Sequence, residues 1–172
     1  MKKSKTENLK IIIEAILKYL QVIFNSAAVI CLVGIIGVVL FQVIARYALP
    51  KAPVWTEELS RFLFIFSIVF ASATVIIKGR HVNLELFHHR LSKKGSLICN
   101  LIFNFLLTSF SIIIIPFAWK YTQVGNRQTS PAMGVNMSLI FSSTVIFFGL
   151  VAICTVLLIL RDSLSLMIKE EA

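Results

Sequence analysis

Charge is scarce in this sequence, and its absence is not uniform. Of 172 residues only 15% are Asp, Glu, Lys or Arg, against 58% hydrophobic, and the mean hydropathy is +0.88. A water-soluble domain of this length needs a polar shell, which so few charges cannot supply; lipid in place of that shell makes the composition reasonable. Cysteine is equally sparse. Cys31, Cys99 and Cys154 stand alone in or at the edge of apolar runs, with no Cys-x-x-Cys pair. A disulfide framework and a redox pair are both excluded, leaving small packing residues. There is no glycine-rich phosphate loop, no nucleophile motif, no internal repeat and no low-complexity segment, so nothing points to an enzyme. The net charge of +9 would suit nucleic acid if it lined one face. Instead the basic residues sit between apolar runs, which argues against nucleic acid and for a lipid bilayer.

Four apolar runs are present, and one domain is the expectation at this length. Residues 1–21 come first, with Leu9, Ile12, Ile13, Ile16, Leu17 and Leu20 at helical spacing between lysines. This is an amphipathic helix that either lies on the membrane surface or extends the first span. Residues 22–45 form the first span, uncharged for about 36 Å of helix and too long for the apolar core of a cleaved signal. Gly34 and Gly37, with Ala27 and Cys31, provide a side for close helix packing. The second run, Phe62 to Ile77, covers only about 24 Å. To cross a core of about 30 Å it must recruit residues from 57 onward. Its predicted extent is therefore 57–77, with Thr56 as N-cap and Glu57 and Glu58 in the first turn, where the helix dipole favours carboxylates. Arg61 follows Glu57 by four positions and Glu58 by three, so all three can meet on one side of the helix.

The segment 78–94 is basic and holds His81, His88 and His89. Leu84, Phe87 and Leu91 recur at helical spacing there, which predicts a short interfacial helix. Adjacent histidines point to different helix faces and no further carboxylate or cysteine joins them, so neither a metal nor any other cofactor is expected. The third span is predicted over 95–119. Asn100, Asn104, Thr108 and Ser111 form one stripe along it that should face protein rather than lipid, and Pro116 is placed to bend its end. The fourth span is predicted over 137–160. Lys and Arg number twelve in the segments 1–21, 78–94 and 161–172, and five in the turns 46–61 and 120–136. That asymmetry predicts an all-α integral membrane protein with four transmembrane helices, both termini cytoplasmic and short amphipathic helices at the interface.

None of the four runs contains Asp, Glu, Lys, Arg or His. An ion-coupled carrier keeps an ionisable residue or a broken helix near the midplane. A self-sufficient exporter and an intramembrane enzyme are disfavoured on this ground. Two readings remain: an accessory subunit that packs on a larger membrane partner, and a stand-alone tetraspan scaffold or assembly factor. The densest chemistry lies in the turn from Arg46 to Arg61, which carries Trp55 as an interfacial anchor. Its carboxylates either cap and pair within their own helix, or tie it to the first span through Arg46, or dock a partner.

Arg46-Tyr47, Pro53-Val-Trp55-Thr-Glu57-Glu58-x-x-Arg61, Gly79-Arg-His81-Val and Ser130-Pro-Ala-Met-Gly134 occur in this order over roughly residues 20–160. The arrangement resembles the small (Q-type, DctQ-like) membrane subunit of tripartite ATP-independent periplasmic (TRAP) transporters. Asn136 stands where many relatives carry proline, and in Asn83-Leu-Glu85 the aspartate that often follows the histidine is missing; both leave the subfamily open. The resemblance implies a bacterial inner-membrane location. It also implies a large multi-span permease subunit as partner and a periplasmic substrate-binding protein that delivers an organic acid. That acid would be a C4-dicarboxylate or, as the slightly favoured option, a sialic acid, taken up with sodium. The small subunit's implied role is to enlarge a static scaffold, with no active site of its own.

Overall fold

The computed structural model describes residues 2–50, 53–78 and 93–170. They form four helices: α1, Lys2–Ala48; α2, Trp55–Ile77; α3, Lys93–Gly125; and α4, Met137–Glu170. All four are long and apolar enough to cross a bilayer. The only β-pairing among the described residues is an isolated bridge, Thr129 with Asn136. The all-α, four-span architecture expected from the sequence is the one the chain adopts.

The helices outrun the apolar runs that predicted them. α1 has 47 residues, about 70 Å at 1.5 Å per residue, more than twice a bilayer core of about 30 Å. No proline or glycine interrupts residues 2–33, so the hydrogen-bonded ladder has no reason to stop where the sequence turns polar. The amphipathic segment is therefore a straight continuation of the first span. Ile13, Leu17 and Phe24 lie on one stripe of it and are buried in the main core cluster, beside Ile76 and Ile77 of α2 and Leu158 of α4. Leu9, Ile12 and Ile16, which share the apolar side in sequence, stay exposed. Leu17 and Ile13 lie about one and a half and two and a half turns before residue 22. If water is the alternative there, each buried side chain contributes about 1.5–3 kcal/mol. α3 likewise continues through Pro116 to Gly125, and α4 continues through Arg161 and Asp162 to Glu170.

α4 is the hub. It packs most extensively on α3 and also touches α2 and α1, while α2 packs along α1; α2 and α3 make no comparable contact with each other. Two antiparallel hairpins result. In the first, Gly34 faces Leu63, whose Cδ1 would lie 3.2 Å from an added Cβ, and the Phe41 and Trp55 rings meet at 5.9 Å. In the second, Tyr121 stacks on Phe141 at 4.3 Å, and Thr108 Oγ1 lies 2.7 Å from Thr155 Oγ1. At its corner the end of α3 runs against backbone: a Cβ on Gly125 would come within 2.5 Å of Ser138 N. Along the membrane-crossing part of α1 no residue of the most apolar stretch is fully buried within this chain, leaving the side turned away from α2 to lipid or to another protein.

Candidate functional site

The dense turn between α1 and α2 and the loop between α3 and α4 lie at the same end of the bundle, where one carboxylate joins them. α2 begins at Trp55, with Val54 at the cap position and no side chain capping the first turn. Thr56 is thus not the N-cap that the sequence suggested. Val54 already has helical dihedrals, φ −69° and ψ −23°, so the helix starts ahead of Thr56. The fully buried Thr56 hydroxyl instead donates to the Pro53 carbonyl at 2.7 Å, satisfying a polar group that would otherwise be costly to bury.

One position further on, Glu57 turns to α1. Its Oε1 accepts from Gln42 Nε2 at 3.2 Å. With the Phe41–Trp55 contact this sets the register of the first hairpin. The expected tie through Arg46 is not made: Arg46 lies one helical turn nearer the chain reversal than Gln42, beyond the level of Glu57. Among the described residues the ion pairs are Lys10–Glu14 and Arg161–Asp162, so the anticipated Glu57–Glu58–Arg61 cluster is not ion-paired either. Both carboxylates turn to other partners, and Arg61 is left exposed.

Glu58 points to the other hairpin. Its Oε2 accepts from the Ser130 hydroxyl and from Met133 N at 3.0 Å, and its Oε1 accepts from Ala132 N at 3.1 Å. The loop is shaped to offer these donors. Ser130 N bonds Val135 O at 2.8 Å and Gly134 N bonds Ser130 O at 3.0 Å, closing a tight turn. Gly134 provides the φ of +65° that the turn requires. Consecutive main-chain N–H groups in such a turn form a concave anion seat, and charge-assisted bonds of this kind are the stronger class. Ser130 is itself buried, and its oxygen also receives Met133 N at 3.2 Å. Asn136 starts α4: its Oδ1 accepts from Ser138 N at 2.9 Å, an ordinary N-cap.

The other residues singled out in the sequence are spread through the bundle. Gly34 lies against α2, but a Cβ on Gly37 would meet no atom of another described element within 4 Å. Asn104, Thr108 and Ser111 are buried and Asn100 is half-buried, with Thr108 bonded across to α4. Trp55 is exposed beyond its contact with Phe41. His81 and the helix expected around Leu84–Leu91 lie outside the described residues. Among the described residues no group of His, Cys, Asp and Glu could hold a metal ion.

Two features escaped the sequence reading. The role of Ser130 depends on a loop folding back on a helix 72 positions away; the Ser-Pro-x-x-Gly pattern signals the turn but not its guest. Asp162, next to the Arg161 counted in the last basic segment, is buried within α4. Its Oδ1 accepts from Arg161 Nε at 2.8 Å and lies 2.7 Å from Nη2.

These observations define a four-span helical membrane protein. Among the described residues, a carboxylate-centred joint ties its two hairpins together. Residues 35–164 match the family described as tripartite ATP-independent periplasmic transporters, DctQ component. The chain belongs to this family, and it is a multi-pass protein of the bacterial inner membrane. Among curated relatives, the sialic acid TRAP transporter small permease protein SiaQ of Vibrio cholerae is 30% identical over 107 residues, covering 59% of this chain and 62% of that protein. The chain thus spans less than two thirds of that relative's length. A putative TRAP transporter small permease protein of Haemophilus influenzae is 25% identical over 131 residues, 76% of this chain and 79% of that protein. Another from the same organism is 25% identical over 126 residues, 71% of this chain and 78% of that protein.

Proposed function

We propose that this chain is the scaffold-building small permease subunit of a sodium-driven uptake system for an organic acid. It pairs with a large multi-span permease subunit and works with a periplasmic binding protein. The observation that carries the reading is the Glu58 joint: one carboxylate, held by three donors from the opposite hairpin, ties the two halves of the bundle at one end. Such a tie holds the two hairpins together as one body, which a support for a moving partner requires. The uncharged runs supply no ion-coupling group near the midplane, so coupling and substrate binding belong to the partner. The Lys and Arg asymmetry supports a topology with both termini in the cytoplasm and the joint on the periplasmic side. Sialic acid is the favoured substrate, supported by the name of the Vibrio relative, with C4-dicarboxylates as the competing class.

The test is reconstitution of this chain with its large permease subunit in liposomes, with the binding protein and each candidate acid outside under an inward sodium gradient. Uptake of one acid that needs all three proteins and collapses without sodium supports the reading; uptake unchanged when this chain is left out defeats it. Arg61→Glu should lower uptake or recovery of the complex at equal expression, since the exposed guanidinium at the joint is free to meet a partner. Unchanged values for both would remove Arg61 from the interface.

A further inference from the structure

Because α2 and α3 both lean on α4 and make no comparable contact with each other, a groove runs between them with α4 as its floor. Near the joint it is lined by Arg61, Ile65 and Tyr121 over Ile140 and Phe141, with a volume of about 350 Å³. Ile65 and Ile68 continue it over Thr144 and Phe147. It then widens to a cavity of about 520 Å³, lined by Ala71, Val75 and Ile76 of α2, Leu107, Phe110 and Ser111 of α3, and Phe147, Phe148 and Val151 of α4. From Arg61 to Ile76 the groove follows α2 for roughly 22 Å, most of a bilayer core of about 30 Å.

Ser111 says what kind of occupant fits. It is 1% exposed, yet its hydroxyl has no hydrogen-bond partner. Ser72, Ser109 and Thr108 each bond the carbonyl four residues back on their own helix; Ser111 does not, and it lines the widest part of the groove. A buried hydroxyl without a partner is costly in hydrocarbon. A lipid tail cannot satisfy it, and at about 15 Å (half the core) one tail would fill only part of the groove. A transmembrane helix matches both the length and the chemistry.

We propose that this groove is the seat of one transmembrane helix of the large permease subunit, an apolar helix with a hydrogen-bonding side chain at the level of Ser111. The inference rests on the scaffold-subunit reading above and adds to it the docking face. Once seated, that helix completes a bundle around α4 and gives Ser111 its missing partner.

The complex of this chain with its large permease subunit, purified in mild detergent, carries the test. Phe110, which lines the cavity, is replaced by p-benzoylphenylalanine; Phe105, exposed elsewhere on α3, is replaced likewise as control. Irradiation should yield an adduct at the summed mass of the two subunits from position 110 and not from position 105. Ser111→Ala should weaken the complex about threefold, the worth of an average intramembrane hydrogen bond, without altering the helical content of this chain. If the large subunit co-purifies but position 110 gives no adduct with it, the groove is not the docking face, while the scaffold reading stands. An adduct of two copies of this chain, or insertion into lipid alone, likewise overturns the proposal. Failure of any large subunit to co-purify with the unaltered chain overturns the proposal and the scaffold reading together.

Discussion

The contact between Thr108 and Thr155 allows a quantitative prediction about what holds α3 to α4. The two oxygens are 2.7 Å apart. Thr108 Oγ1 is also 2.8 Å from Asn104 O, and Thr155 Oγ1 is 2.8 Å from Val151 O and 3.2 Å from Ala152 O. The pair has only two hydroxyl protons. One must lie between the helices and the other must go to a main-chain carbonyl. Replacing either residue by valine keeps the volume and removes the interhelical bond. The surviving hydroxyl is not stranded, because it turns its proton to its own helix. Each single variant should therefore lose only the cross-helix term, about 0.6 kcal/mol on average and up to about 1.7 kcal/mol for intramembrane hydrogen bonds. The double variant should lose little more than either single, since the bond is already gone. The coupling energy is then expected at about 0.6–1.5 kcal/mol. The measurement is equilibrium unfolding of the four chains in mixed micelles, closed as a double-mutant cycle. A coupling within about 0.3 kcal/mol of zero would show that the oxygens are neighbours without a bond. A loss above about 3 kcal/mol from one valine would show that its partner cannot re-bond, contrary to the proton count.

Glu58→Gln should loosen the joint, because the amide puts an N–H₂ group against N–H and O–H donors; limited proteolysis should then cut the 126–136 loop faster, and Ser130→Ala should act in the same direction. Gly125→Ala should lower thermal stability by about 1–3 kcal/mol, the usual cost of overpacking, since its Cβ would lie 2.5 Å from backbone that cannot rotate away; an unchanged melting temperature would mean the α3–α4 corner yields freely. Gly134→Ala has open space around it but a φ of +65°, so a milder loss of about 1 kcal/mol is expected from strain alone. The two glycines thus separate steric from conformational cost in one melting series.

Much of the fold was legible because the governing signals are local. Run length and the lack of charge identify four spans whatever they pack against. The need to lengthen the second run led to the start of α2 within two residues. The Asn104–Thr108–Ser111 stripe was visible from its spacing, and that side of α3 is buried. The partners of Glu57, Glu58 and Arg61 were not legible. Helical spacing says which side chains can meet within α2, but a donor on another element competes with them. Gln42 and the Ser130 turn take both carboxylates. Gly34 and Gly37 look equivalent in sequence, yet only the first meets α2; residues three apart lie only about 60° from each other on nearly the same side of a helix, so which of them is packed depends on how α2 crosses α1.

By itself, then, the sequence determined that the chain is helical, lives in a membrane and carries no Asp, Glu, Lys, Arg or His in its four apolar runs. Those properties follow from what each segment contains, and lipid acts on every segment alike. Only the tertiary structure decided that α1 runs unbroken past its apolar stretch into the core, and that α4 rather than α1 is the hub. The same holds for Glu58 closing the bundle onto a loop 72 positions away, and for the groove left open beside Ser111. Each of these depends on which surfaces meet, and a one-dimensional pattern carries no record of the distance between segments that are far apart in the chain.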